Sequence, residues 1–201
     1  MAKINMTNQD FENEMVNIYR KLFISTPCRE YELHNVFRAE TETKKVVFPI
    51  GTQLDRKYFS ALVEAAEKVG DEFLYISLLD CPQNEPIIHW KMPFSYPEYN
   101  NDNATSNRFY KVLESLYYSP SGLWGLAISY FDLGILGGSE LFAKFFFENL
   151  GETEEDHLAA FIEYNLGDGS WFKEPHKSIK EILLATYGEE QARLIINKYG
   201  I

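Results

Sequence analysis

The residues with the chemistry to act as nucleophiles or ligands are few and scattered. Cys81, in "LLDCPQN" just past an apolar run, is a thiol at a predicted strand end, and His89 follows eight residues later. A Cys–His pair would give an activated thiolate, but such a site also needs a third group to orient the imidazole, and none is legible nearby. The four histidines, His34, His89, His157 and His176, stand far apart, with neither HExxH nor CxxC spacing. His157, in "EEDHL", has carboxylates around it and is expected at a solvated helix start. "ETETK", residues 40–44, has the Glu-x-Lys that metal-dependent nucleases carry on a strand. That chemistry needs a second carboxylate on a neighbouring strand to share a Mg²⁺. The nearest upstream Asp, Asp10, falls in a predicted helix, so Lys44 and Lys45 are better explained as guards on a strand edge. Neither "GGSEL" nor "SPSGL" is a G-x-S-x-G elbow. The expectation is no catalytic residue, no metal and no cofactor.

The one glycine cluster lies in "FDLGILGGSELFAKFFFENL", residues 131–150. A phosphate cradle needs backbone N–H groups at a helix N-terminus, in Rossmann or Walker spacing, and Gly134, Gly137 and Gly138 fit neither. Glu140 already places a carboxylate at the positive end of the helix dipole. Gly137 and Gly138 therefore read as a tight turn before a buried helix that Ser139 caps.

The elements that would position these residues follow from periodicity. Residues 8–24 form an amphipathic helix with Phe11, Met15, Ile18 and Leu22 on one face, and Thr7 with Asp10 resembles a capping box. "TKKVVFPIG" is a strand. "LDRKYFSALVEAAEKVG" is a helix between an Asp55 cap and a Gly70 stop, and "EFLYISLLD" is a strand apolar enough to lie inside a sheet. Strand, helix and strand could make a right-handed crossover or a helix laid across an antiparallel pair. "EPIIHWKMPF" is a further strand and "SYPEYNNDNATSN" a polar loop. "SPSG" is a hairpin turn between two β-rich runs, and "DLGIL" is a short strand. After the aromatic helix from Ser139 to Leu150 come helices near 153–166, 176–187 and 189–199, punctuated by Gly167, Gly188 and Gly200. The expected fold is one α+β domain over residues 1–201: a central, mainly antiparallel sheet with an N-terminal helix and a helical C-terminal third.

The 201 residues are 45% hydrophobic, enough for one sizeable core, and the 15% aromatic content supplies large core side chains. The opening lacks the basic and apolar regions of a secretion signal. The most apolar stretch, 123–136, is too short and too polar to span a bilayer. Two cysteines make no disulfide framework, so a cytoplasmic protein with reduced thiols is expected. Net charge is −11, and residues 71–105 and 152–201 carry ten of the eleven excess negative charges. Such a field repels nucleic acid and speeds encounter with a basic partner.

Two stretches suit partner binding. "HWKMPFSYPEYNNDN" presents Trp90, Tyr96 and Tyr99 among prolines that stiffen the chain, and "GETEEDH" clusters Glu152, Glu154, Glu155 and Asp156. The same acids would also suit a helix N-terminus. Residues 117–146, "YYSPSGLWGLAISYFDLGILGGSELFAKFF", resemble small bacterial immunity proteins of polymorphic toxin systems in the hairpin with "GLWGLAIS" and in "DLGILGGSE" leading into an aromatic helix. The resemblance implies an α+β, non-enzymatic protein that binds and blocks a cognate toxin, expected to be a basic protein. Those families diverge at the toxin-facing surface, so no binding residue is carried over. Two alternatives stand beside it: a small enzyme using Cys81 with His89, and an adaptor or homo-oligomer hiding its aromatic loop in a symmetric interface.

Overall fold

The computed structural model describes residues 4–24, 36–78, 88–100, 114–129 and 131–201. Its centre is a seven-stranded sheet: β1 (Ile4–Met6), β2 (Thr43–Val47), β3 (Phe73–Leu78), β4 (His89–Pro93), β5 (Ser115–Tyr118), β6 (Trp124–Ile128) and β7 (Gly134–Gly138). The order is β1-β4-β3-β5-β6-β7-β2, and every neighbouring pair is antiparallel. With its helical C-terminal segment, the chain is an α+β protein. Among the described residues no helix is long and apolar enough to cross a membrane.

Both faces of the sheet are covered, which explains why its strands read as nearly continuous apolar runs. Leu74, Ile76, Tyr117, Trp124, Leu126 and Leu136 face one layer, built from α3 (Arg56–Lys68), α4 (Tyr96–Tyr99) and α5 (Glu140–Leu150). The alternate residues Tyr75, Leu116, Tyr118, Ala127 and Ile135 face the other. There lie α2 (Val16–Leu22), α6 (Glu154–Leu166) and α7 (Pro175–Tyr199).

Most helix ends fall where the side chains predict. Asp55 accepts from the Tyr58 N–H at 2.9 Å to open α3, and Ser139 accepts from Phe142 N–H at 3.2 Å to open α5. Thr7 and Asp10 exchange a reciprocal pair of bonds before α1 (Asn8–Asp10), which runs through a π-helical turn, Phe11–Met15, into α2. Within α7, Gly188 takes φ 75° and ψ 170°, so this element is two helices meeting at a kink, as the glycine punctuation predicts. The "SPSG" hairpin joins β5 to β6, with Ser119 N–H bonded to Trp124 O at 3.0 Å.

Three expectations change. Gly137 and Gly138 do not form a tight turn; they end β7, paired to β2 on one side and β6 on the other. Gly137 lies opposite Gly125. A Cβ on Gly137 would sit 2.6 Å from the Phe37 ring, and one on Gly125 would sit 2.7 Å from Phe23. The glycines thus leave a bare patch of sheet on which two aromatic rings lie. Residues 96–99, expected in a polar loop, form α4, with Pro97 in its first turn, where a missing N–H costs nothing. β1 had no signal in the sequence: three residues show no usable alternation, and only pairing with β4 defines them. Of the two arrangements expected between β2 and β3, the segment makes the crossover, although its strands are not neighbours. Four antiparallel steps separate these strands, so they run the same way while α3 carries the chain across the sheet.

Candidate interaction surface

The aromatic half of the expected binding surface belongs to the core. Trp90 is 2% exposed, packs under the α3–α4 layer and donates its indole N–H to Asn5 on β1. Tyr99 is buried against Phe59, with ring centroids 4.7 Å apart. Its hydroxyl accepts from the Leu54 N–H at 2.9 Å and lies 2.8 Å from the Tyr117 hydroxyl. Tyr96 is half-buried on the same Phe59. Trp90 is inward-facing on an interior strand, and α4 turns Tyr99 into the same layer. Neither is presented to solvent.

The acidic half lies at the surface, with its charge largely engaged. Thr153 and Asp156 close a full capping box at the start of α6. The Thr153 hydroxyl and N–H hold the Asp156 carboxyl below its ordinary range. Glu155 pairs with Lys198 and accepts from the Tyr199 hydroxyl, and chiefly the lysine bond lowers its pKa. Glu154 meets Lys45 at 2.9 Å, and Glu152 meets Lys57. Glu152 also reaches His157 Nε2 at 3.0 Å. His157 is buried rather than solvated. Its Nδ1 lies 3.1 Å from the Phe48 N and 2.8 Å from the Phe48 O, which fixes the ring with Nε2 toward Glu152. These acids tie α6 to β2, α3 and α7.

Lys45 connects this network to a cleft of about 320 Å³ along the outer edge of β2, lined by Thr41–Lys45 and by α7 around its kink. Val46 N–H on that edge donates to the Tyr187 hydroxyl at 3.2 Å. Lys44 donates to Ala185 O at 3.0 Å, closing the carbonyl end of the first half of α7, and burial lowers its pKa. Lys44 and Lys45 are therefore clasps between the strand edge and the helices, rather than solvated guards.

His89 also belongs to the core. It stacks on Phe11 at 4.0 Å, and its Nδ1 lies 2.7 Å from Ser77 Oγ, which lies 3.0 Å from the Tyr118 hydroxyl. All three are buried, and desolvation lowers the imidazole pKa to about 4. Cys81 and His34 lie outside the described residues. Among the described residues no group of three His, Cys, Asp or Glu side chains is placed to hold a metal ion.

An exposed aromatic feature with little mark in the sequence is the connection between α6 and α7. Trp171 is 53% exposed, Leu166 39% and Tyr164 36%, and the Tyr164 and Trp171 rings lie 6.5 Å apart. Its sequence signal, "YNLGDGSWF", marked only a helix stop. The exposed acids Glu163, Asp168, Glu181, Glu189 and Glu190 join no ion pair among the described residues. Comparison with protein-family models, with curated proteins and with solved structures finds no match.

Proposed function

We propose that this chain is an intracellular protein-binding module of the immunity type, which blocks a basic partner protein by covering it. The observation that carries this reading is the set of exposed carboxylates on α6, α7 and their connection, Glu163, Asp168, Glu181, Glu189 and Glu190. They remain after the 152–156 acids are engaged within the chain. Residues 152–201 hold ten acids against five bases, and a surface with such an excess steers an oppositely charged protein into encounter and disfavours nucleic acid. The net charge of −11 acts in the same direction.

The test is co-expression with the product of the adjacent gene, followed by co-purification at low and high salt. The expected result is a stoichiometric complex with a basic protein that weakens as salt rises, together with restored growth of cells expressing that protein. No complex and no protection would overturn the reading.

A further inference from the structure

We propose that the patch formed by Tyr164 and Trp171 is the docking surface for an arginine-bearing segment of a basic partner protein. The proposal rests on the partner-binding role above and gives it a location. Of the three tryptophans, Trp90 and Trp124 are 2% and 0% exposed, whereas Trp171 is 53% exposed. A half-exposed Trp beside a Tyr is the composition of an interface hot spot, since these rings remove much apolar area from water at little cost in side-chain entropy.

The patch is held in place before anything binds. Phe172, next to Trp171, packs against Phe131 at 5.5 Å and Phe161 at 6.5 Å, which pins the connection to the core. Phe172 N–H donates to Ser170 Oγ at 3.1 Å, and Ser170 N–H to Gly167 O at 3.3 Å. Tyr164 rests on Phe48 at 5.3 Å, and a Cβ on Gly169 would lie 3.2 Å from its ring, so the turn runs close against it. Preorganisation of this kind lowers the ordering cost of association.

Charge decides what the patch fits. Glu163 precedes Tyr164, and Asp168 lies between Leu166 and Trp171; both are exposed and neither is ion-paired among the described residues. Lys173 is the one cation in the connection 167–174. A planar guanidinium can stack on an indole while its N–H groups reach carboxylates, a combination that an ammonium serves less well.

The test uses the whole chain and a synthetic nona-arginine peptide, with affinity measured by calorimetry. Binding is expected to shield Trp171 from acrylamide quenching, which the buried Trp90 and Trp124 resist. Trp171→Ala and the double variant Glu163→Gln/Asp168→Asn are each expected to weaken binding about tenfold, and Trp171→Phe to restore part of the loss. Circular dichroism checks that each variant folds. Glu64→Gln/Glu67→Gln carries the same change in net charge on α3, at two exposed acids outside the α6–α7 set, and is expected to stay within about twofold of the parent. Equal weakening by that control, or no peptide binding, would overturn the patch. So would a concentration-dependent dimer abolished by Trp171→Ala, because the occupant would then be a second copy. If the peptide fails while the adjacent gene product still co-purifies, the location is wrong and the binding role stands.

Discussion

At Gly137 the smallest side chain would displace an aromatic ring, since the Phe37 ring atoms lie 2.6 Å from where its Cβ would be. Gly137→Ala is therefore expected to destabilise the fold by about 1–3 kcal/mol through overpacking, measured by urea denaturation. Gly188→Ala meets nothing within 4 Å, but φ 75° with ψ 170° is backbone that essentially only glycine adopts, so the substitution is expected to cost about 1–3 kcal/mol in strain alone. His89 makes a prediction of a different kind. Burial depresses its pKa to about 4, so between there and about 6.5 the unfolded chain binds the proton that the folded chain refuses. Stability is full above about pH 6.5 and falls as pH drops toward 4, by roughly 3 kcal/mol in total. His89→Asn, which keeps a polar group beside Ser77, is expected to flatten that slope in denaturation curves taken across the window. These single-residue roles were the least legible in the sequence. A glycine pair spaced like a turn is a turn or a landing for a ring depending on what crosses above it, and only the tertiary fold brings Phe23 and Phe37 there.

Elements announced themselves wherever a local rule decided them. The Asp55 and Ser139 caps, the Gly188 break and the "SPSG" hairpin all act within a few residues, so the sequence carries them whole. Strand order is set by partners far apart in the chain. It leaves no local mark, and neither does a three-residue strand such as β1. Trp90 and Tyr99 failed as surface candidates for a related reason: an aromatic near prolines is drawn alike on an interior strand and on a loop. The acids 152–156 were legible as a cluster, but their engagement with Lys45, Lys57 and Lys198 was not, because those lysines come from three other elements. The capping box at the start of α6 can be tested directly. Thr153→Ala is expected to lower Tm by about 2–4 °C. Asp71 joins the end of α3 to the hairpin, accepting from Trp124 Nε1 at 2.8 Å and Ser121 Oγ at 3.1 Å. Asp71→Ala strands the buried indole N–H, with an expected loss of about 1–3 kcal/mol by chemical denaturation.

For the whole molecule, a net charge of −11 sets two opposing responses to salt. Screening relieves self-repulsion in the isolated protein, so its Tm is expected to rise between about 0.01 and 0.15 M NaCl. Screening also removes the steering field, so association with a basic partner is expected to slow over the same range in stopped-flow measurements. Opposite signs from one titration would separate surface charge from packing as the source of each effect. The order of the sheet has a consequence in time. The first two strands of the chain stand at its opposite edges: β1 must wait for the strand beginning at residue 89, and β2 for the one beginning at residue 134. A ribosome releasing this chain therefore leaves β1 unpaired until β4 emerges, and β2 unpaired for longer, until the β5–β6–β7 meander has been made. The newborn protein is most in need of a chaperone during that interval, well before its last helix has been made.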